Sequence, residues 1–225
     1  MKMRRILLLG LAACIGLIWS CTPTRYVQPL EAGEWAVQGT FGGPLMKNFG
    51  PPIPVPFTTA GVGYGLREGT TVYGNLHLTS VLFGTAQVDA GVLQGILEPD
   101  GWRPGVSTSL GFNTAIDFHK GHFKIWPQWD ANAYWRYGAN ENRIFVGANT
   151  WWEPKGFTKG TEEGLQAIIP GIQVGHTFRG TGGWDKTLEL SVRNVGKPSG
   201  DAVVDWAGLG GAGAFGFHFS ITKRF

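Results

Sequence analysis

Charged side chains and histidines occur at alternate positions in several stretches of this sequence, opposite apolar residues. Because side chains in a β-strand alternate between its two faces, such residues share one face of a sheet. The candidate polar cluster formed in this way comprises Asp89, Asp117, Asp130, Arg136, Arg143, Arg179, Glu189 and Arg193. Inside a closed sheet this cluster could line a selective pore, form a ligand site, or fill the interior by pairing opposite charges. A small barrel leaves a narrow interior, and charges in a low dielectric must be paired, so filling is the favoured interpretation.

Asp117, His119 and His122 lie close together at a predicted hairpin tip and are of types that bind metal ions. An ordinary polar turn explains the same residues, and their spacing alone does not favour a metal site. The 36 glycines occur in no strand–loop–helix context that would cradle a phosphate. We therefore predict no metal and no cofactor. No stretch interleaves basic and aromatic residues, so nucleic acid is not an expected partner.

Strand-like segments separated by turn residues account for most of the chain. There are ten, at 34–41, 57–66, 71–78, 85–96, 106–118, 123–137, 143–152, 168–179, 184–195 and 215–225. In the ninth, Leu188, Leu190 and Val192 alternate with Asp185 and Glu189 on the other face. The pattern predicts an all-β fold, a transmembrane antiparallel up-and-down β-barrel of ten strands. A barrel of eight strands is the alternative, if the third and fourth segments merge or the first is only a tether.

Loop lengths and aromatic positions both support an even number of strands. Long connections (42–55, 153–164, 196–208) follow odd strands, and short ones (67–69, 138–142, 180–183) follow even strands. Outer-membrane barrels have this arrangement, with long extracellular loops and short periplasmic turns. Aromatic residues on the apolar face fall near strand ends, where their rings favour the membrane interface. The predicted periplasmic group is Trp35, Tyr64, Trp135, Tyr137, Phe178, Trp184 and Phe225, and the outer group is Phe41, Phe118, Phe123 and Trp152.

Two prolines conflict with this pattern. Pro127 and Pro170 lie inside predicted strands, and each lacks the amide hydrogen that a fully paired strand requires. We expect a bulge or a strand end at each of them.

The composition indicates a membrane-embedded sheet rather than a soluble domain or a helical membrane protein. Charged residues make up 16% of the chain, whereas about 25% is usual in soluble domains. Mean hydropathy is −0.03, and after residue 19 no apolar run is long enough for a spanning helix. The formal charge of +3 includes Lys2, Arg4 and Arg5, so the remainder of the chain is near neutral.

The N-terminal residues have the features of a bacterial secretory signal. Residues 1–5, which include Lys2, Arg4 and Arg5, precede an apolar run from 6 to 19, which is shorter than the roughly 20 residues that span a membrane. We expect a signal peptide at 1–20, a lipid-anchored tether at 21–33 and a barrel at 34–225.

Two cysteines resemble lipoprotein cleavage sites. Cys21 leaves an apolar core of normal length and is the favoured site of acylation, whereas Cys14 follows the closer match to the lipobox but leaves a short core. Simple secretion without a lipid is a further alternative. Cleavage at Cys21 leaves no cysteine that could form a disulfide.

The C-terminal segment resembles the closing-strand signal by which the outer-membrane assembly machinery recognises barrel proteins. Phe225 ends the sequence, and Ile221, Phe219 and Phe217 precede it at alternate positions; Lys223 stands where a tyrosine or apolar residue is usual. A lipid-facing lysine near the interface costs only about 0–1 kcal/mol. Together with the lipoprotein-like N-terminus, the resemblance covers the whole chain as a small, porin-like, lipid-anchored outer-membrane barrel. It implies outer-membrane lipid, the assembly machinery during insertion and other outer-membrane proteins as partners.

His218 and Ser220 form a His-x-Ser pair similar to that of an outer-membrane lipid A deacylase, in which the pair faces lipid. Here both residues fall on the inward face of the last strand. The leading hypothesis is therefore a non-enzymatic protein, either a structural barrel or an accessory subunit of an outer-membrane complex. The alternatives are a narrow channel for small solutes or apolar molecules and a lipid-modifying hydrolase.

Overall fold

In the computed structural model, consecutive strands pair as antiparallel neighbours around a closed ring. The structure describes residues 25–47, 51–119, 121, 123–152, 168–198, 207–208 and 210–225. Within them the strands are β1 (Trp35–Met46), β2 (Ile53–Pro54), β3 (Phe57–Arg67), β4 (Thr70–His77), β5 (Thr85–Leu97), β6 (Gly105–Asp117), β7 (Phe123–Tyr137), β8 (Asn142–Trp152), β9 (Ile168–Arg179), β10 (Trp184–Pro198) and β11 (Ala212–Arg224). Helix α1 (Leu78–Leu82) follows β4, and a 3₁₀ helix (Thr181–Gly183) follows β9. No helix in the described ranges combines the length and the apolar character needed to cross a membrane.

The ring closes because the last strand pairs with the first. β11 and β1 pair from Ala36↔Arg224 to Pro44↔Gly216, and the other wall strands pair with their neighbours in chain order. The wall consists of β1 and β3–β11, so the prediction of ten strands is confirmed. The alternative of eight strands is wrong, because β4 and β5 are separate strands and β1 is paired on both sides.

Short turns gather at one end of the barrel. This end contains the β3–β4 turn at 68–69, the β7–β8 turn at 138–141 and the 3₁₀ helix. It is also the end at which β1 begins with Trp35 and β11 ends just before Phe225. Gly69 has φ 70°, a conformation that glycine adopts without strain in so tight a turn. Since outer-membrane barrels have their short turns in the periplasm, we call this end the periplasmic end.

Two predicted connections contain regular structure. The predicted loop 42–55 is wrong in part, because β1 continues to Met46 and β2 pairs with its last two residues. Pairing with β11 through Pro44 overrides the low strand propensity of this Gly/Pro stretch. Residues 79–84, which separate the third and fourth predicted strands, contain most of helix α1.

The wall is apolar outside and polar inside. Outward side chains such as Val62, Leu110 and Leu190 are 49%, 62% and 57% exposed. Inward polar side chains are buried, among them Gln38, Thr40, Asn75, Gln87, Asn113, Gln128, Asn132, Ser191 and Thr222. A closed sheet satisfies its backbone hydrogen bonds without water, and an apolar exterior matches lipid. The protein is therefore an integral outer-membrane β-barrel.

Aromatic residues and one lysine mark the periplasmic interface. The rings of Trp35 and Tyr64 lie 4.6 Å apart on neighbouring strands. The Lys223 Nζ lies 5.4 Å from the centre of the Trp184 ring and 5.3 Å from that of Phe225. The lysine that departs from the closing-strand pattern therefore points to the interface and makes cation–π contacts there.

Both prolines lie where pairing to one neighbour stops. Pro127 is one residue beyond Gln128, the end of the β7–β8 ladder, and Pro170 is one residue beyond Gly171, the end of the β9–β10 ladder. Each proline therefore needs a ladder partner on one side only. The expected bulge or strand end does not occur, because β7 and β9 both continue through their prolines and only one of the two ladders ends there.

Candidate functional site in the barrel lumen

Residues 25–33, which we call the lumen segment, run inside the barrel from its periplasmic end toward its middle. The sequence predicts them as part of a tether, but the wall offers them hydrogen-bond partners and space. Their main-chain contacts with the wall are Gly33 N to Gly65 O (2.8 Å), Leu30 N to Thr71 Oγ1 (2.7 Å) and Ser107 Oγ to Val27 O (2.5 Å). These wall residues are one or two positions from the periplasmic ends of β3, β4 and β6, so the segment occupies the periplasmic part of the lumen.

Arg25 anchors the inner end of the lumen segment at the middle of β7. Its Nη1 lies 3.0 Å from Asp130 Oδ2, and the two side chains are only 9% and 5% exposed. Ser109 Oγ and Asn132 Nδ2 donate to the same carboxylate at 2.9 and 3.1 Å. The guanidinium also lies 5.7 Å from the centre of the Tyr73 ring. Both charges are thus paired and hydrogen-bonded, as a low-dielectric interior requires.

Glycines on β3 make room for the lumen segment. A Cβ atom at Gly65 would lie 1.8 Å from the Glu31 carbonyl oxygen, and one at Gly63 would lie 2.8 Å from the Tyr26 ring. No larger residue fits at Gly65 while Glu31 keeps its place, because the obstructing atom belongs to the main chain. The wall is therefore shaped to hold this segment.

A second polar group lies on β4, β5 and β6. His77 Nε2 and Asp89 Oδ2 are 2.9 Å apart, and their side chains are 2% and 0% exposed. Asn75 Nδ2 donates to the other Asp89 oxygen at 2.7 Å, and Gln87 Nε2 donates to Asn113 Oδ1 at 3.0 Å. These contacts join wall residues to one another and do not involve the lumen segment.

A cavity of about 560 Å³, which we call the periplasmic chamber, lies beside the lumen segment. Asp185 of β10 is its most connected acid. Arg143 Nη2 lies 3.1 Å and Arg224 Nε 3.3 Å from Asp185 Oδ2, and Arg179 Nε lies 3.9 Å from Oδ1. One carboxylate on β10 thus joins arginines from β8, β9 and β11.

Further pairs connect the periplasmic chamber to the lumen segment and to the rim. Gln28 of the lumen segment accepts hydrogen bonds from Arg136 Nε at 3.2 Å and Arg143 Nη1 at 2.9 Å. Further ion pairs are Arg224–Glu34 (3.2 Å), Arg136–Glu98 (3.1 Å) and Arg179–Glu141 (2.5 Å). The chamber is therefore lined by both signs of charge, with each arginine beside an acid.

The predicted polar cluster is divided among three places in the structure. Asp89, Asp130, Glu189 and Arg193 are buried at 0%, 3%, 6% and 4% exposure, and Arg136, Arg143 and Arg179 line the periplasmic chamber. Asp117 stands apart at the far end of β6, where it accepts a hydrogen bond from the His119 amide at 2.7 Å.

The candidate catalytic residues lie in the described part of the chain, and the candidate acylated residues do not. His218 and Ser220 are inward and buried, at 3% and 0% exposure. His122, Cys14 and Cys21 lie outside the described residues. Within the described ranges, no group of three or more His, Cys, Asp or Glu side chains is placed to hold a metal ion.

The residues of the proposed assembly signal lie on the outer face of β11. Ile221 is 38% exposed and Phe225 is 72% exposed, while the inward Thr222 between them is 6% exposed. Phe217 and Phe219 take the same outward register, opposite Leu190 and Leu188 of β10. Their role in assembly stays a prediction.

Sequence reasoning missed the residues of the lumen segment, above all Arg25, Tyr26 and Gln28. A signal for it was present in β3, where Gly61, Gly63 and Gly65 occupy three successive inward positions. Three inward residues without side chains leave space that another part of the chain must fill, since protein interiors are close-packed.

No protein-family model matches the chain, and no curated protein matches it in sequence. Solved structures with a similar fold include the translocator domain of the autotransporter NalP from Neisseria meningitidis, with a TM-score of 0.48 and 12% identity over 100% of this chain and 95% of that chain. The outer membrane protein OprG from Pseudomonas aeruginosa aligns with a TM-score of 0.35 and 11% identity over 89% of this chain and 99% of that chain. OccK11 (OpdR) from Pseudomonas aeruginosa aligns with a TM-score of 0.34 and 11% identity, over 86% and 66% of the two chains.

Proposed function

We propose that this protein is a non-enzymatic, lipid-anchored outer-membrane barrel that its own N-terminal segment keeps closed. It serves as a structural or accessory subunit, and its loops and lipid-facing surface contact other outer-membrane proteins. The observation that carries the proposal is the lumen segment, which occupies the periplasmic part of the lumen with Arg25 paired to Asp130.

The contacts of the lumen segment favour a closed barrel over an open pore. They include three hydrogen bonds from the main chain to the wall, an ion pair, and close packing against Gly63 and Gly65. These contacts extend from Gly33 at the periplasmic end to Arg25 at the middle of β7, so the segment is held along its length. An open pore would have no use for a wall shaped to this segment.

Planar-bilayer recording of the purified full chain tests the closed barrel. We expect the natural protein to give no single-channel steps. The substitution Arg25→Glu places two carboxylates together in the lumen and removes the ion pair, so the segment should leave and steps should appear. Breaking a buried pair by changing one partner costs about 3–5 kcal/mol.

The charge exchange Arg25→Glu with Asp130→Arg is the matched control, because it restores opposite charges at the same depth. It should close the barrel again. Reproducible steps from the natural protein, equal in size to those of Arg25→Glu, would contradict the proposal and support the channel instead.

A narrow channel is the second candidate, and the periplasmic chamber favours it. A cavity of about 560 Å³, in which Arg136, Arg143, Arg179 and Arg224 lie beside acids, could admit a small polar solute from the periplasm. The channel requires the lumen segment to move during passage. A disulfide or cross-link that fixes the segment to β3 would then abolish uptake of the solute, whereas a closed structural barrel would be unaffected.

The lipid anchor rests on the sequence, because Cys21 and Cys14 lie outside the described residues. Palmitate incorporation should be lost in Cys21→Ala and kept in Cys14→Ala. The reverse result would move the anchor to Cys14, and incorporation in neither natural nor variant protein would leave a secreted barrel without a lipid.

The hydrolase is the least supported alternative, since His218 and Ser220 are 3% and 0% exposed and face inward rather than toward lipid. Membrane lipid extracts from cells that produce the His218→Ala variant should match those from cells with the natural protein. A change in acyl composition that depends on His218 would contradict the non-enzymatic proposal.

A further inference from the structure

Helix α1 presents an apolar face at the extracellular end of the barrel. Leu78, Val81 and Leu82 are spaced i, i+3 and i+4, which places them on one side of a helix. They are 40%, 41% and 84% exposed, and Phe83 directly after the helix is 48% exposed. Such a group of exposed apolar side chains would be unfavourable in water.

The opposite side of α1 is fixed to the barrel. Ser80 is buried and its hydroxyl donates to Gln87 Oε1 of β5 at 2.7 Å. Thr79 Oγ1 accepts from the Thr58 amide of β3 at 2.9 Å. The helix is therefore held in one orientation by polar contacts on its inner side, and the apolar face has to point outward.

The apolar face of α1 continues the lipid-facing surface of the wall. Leu76 of β4, two residues before the helix, is 41% exposed and pairs with Val88 of β5, which is 39% exposed. On the other side, Phe118 is 62% exposed, and its amide donates to the Gly84 carbonyl just after the helix at 2.9 Å. An unbroken apolar surface thus runs from the strands to the helix.

The length of β4 explains why a helix occurs here. β4 has 8 residues, whereas its neighbours β3 and β5 have 11 and 13. The last residue of β4, His77, pairs with Thr59 of β3, and β3 begins two residues further out at Phe57. β5 likewise begins at Thr85, three residues beyond Val88, the partner of Leu76, so β4 ends short of the outer edge that its neighbours reach. α1 occupies the wall position that a longer strand would have filled.

We propose that α1 is an interfacial membrane anchor, with Leu78, Val81, Leu82 and Phe83 inserted among the acyl chains of the outer leaflet. The helix completes the hydrophobic belt where β4 is too short to do so. The occupant is lipid rather than a protein partner, because the apolar face is continuous with the belt that already contacts lipid and carries no charged residue among its members. Interfacial amphipathic helices bind membranes through such a face.

Site-directed spin labelling tests this placement on the full chain in phosphatidylethanolamine–phosphatidylglycerol vesicles, in a background with Cys14→Ser and Cys21→Ser. A nitroxide is attached at Leu82→Cys, and its collisions with oxygen and with a water-soluble nickel chelate are compared. Leu110→Cys on the mid-barrel outer face is the lipid control, and Glu68→Cys in a periplasmic turn is the water control. We expect the ratio of oxygen to nickel collisions at Leu82 to resemble that at Leu110 and to exceed that at Glu68 several-fold.

Two results would overturn the proposal. A nickel-dominated label at Leu82, like that at Glu68, would place the helix in water. A label that neither reagent reaches would place Leu82 against protein, that is, against another copy of the chain or another part of it. If Leu82→Cys prevents folding, the same comparison at Val81→Cys decides, and a barrel that keeps its heat-dependent gel mobility confirms that each labelled variant is folded.

Discussion

Two parts of the barrel wall face the lumen segment and interact with it in different ways. On one side, Gly63 and Gly65 of β3 receive the lumen segment by shape, with its atoms in direct contact with the backbone of the wall. On the other, Arg143, Arg179 and Arg224 surround Asp185 and leave the periplasmic chamber open beside the segment. We call these the glycine wall and the arginine wall.

The two walls should differ in how well they tolerate substitutions. A close fit against backbone fails when a single methyl group is added, whereas a charge network in a chamber that admits water can rearrange around small changes. The glycine wall should therefore determine whether the segment is seated, and the arginine wall should determine how stable the barrel is at its periplasmic end. Substitutions that affect one property and spare the other would establish this division.

Removal of the Asp185 carboxylate should have the largest effect on stability. In Asp185→Ala, Arg143, Arg179 and Arg224 lose their shared partner and repel one another in a partly buried space. Breaking a buried ion pair costs about 3–5 kcal/mol, and water in the chamber should keep the loss near 3 kcal/mol. Urea unfolding of the barrel in detergent measures this loss.

The matched control for Asp185 is Asp185→Asn, which keeps the shape and one acceptor oxygen but removes the charge. We expect an intermediate loss of stability. Equal stability of all three proteins would show that the arginine wall is held by Gln28 and the rim acids instead, and the proposed division between the walls would be wrong.

A substitution on the glycine wall should displace the lumen segment with a smaller effect on the barrel. In Gly65→Val the new side chain meets the Glu31 carbonyl oxygen, because even a Cβ atom would lie 1.8 Å from it. Overpacking costs typically about 1–3 kcal/mol when the structure cannot yield, and here the segment can leave. Hydrogen exchange should therefore accelerate in residues 26–33 while the β-strand amides stay protected.

Gly39→Val provides the control for Gly65, since no atom lies within 4 Å of a Cβ at Gly39 on β1. Its exchange pattern should equal that of the natural protein. Fast exchange in residues 26–33 of the natural protein itself would mean that the segment is not stably seated, and the glycine wall would then lack the role given to it.

The fold was predictable because polar and apolar side chains alternate along each strand, and this alternation can be recognised within the strand's own sequence. In β11, the inward His218 and Ser220 and the outward Ile221 follow from alternation alone, and loop lengths then support an even number of strands. The prediction failed where pairing partners are distant, as at Pro44, which becomes part of a strand because Gly216 of β11 lies opposite it.

The lumen was less predictable, because its contents depend on contacts between residues far apart in the chain. Inward orientation of Asp130 follows from its strand, but the identity of its partner does not, since Arg25 is 105 positions away. Asp117 has the same inward register as Asp130, but it lies at the end of β6 and is therefore separated from the other cluster residues. Its register alone did not predict this separation. Alternation indicates a face of the sheet and leaves both depth and partner undetermined.

The ion pair at the rim of the arginine wall should have the smallest effect. Glu141 pairs with Arg179 at 2.5 Å, but its side chain is 53% exposed, so water and salt already screen the charge. Glu141→Gln should lower the free energy of unfolding by about 0–1 kcal/mol, and less at high salt. A loss as large as that of Asp185→Ala would contradict the distinction between the buried centre of the arginine wall and its rim, because it would mean that Arg179 depends on Glu141 rather than on Asp185 for its position.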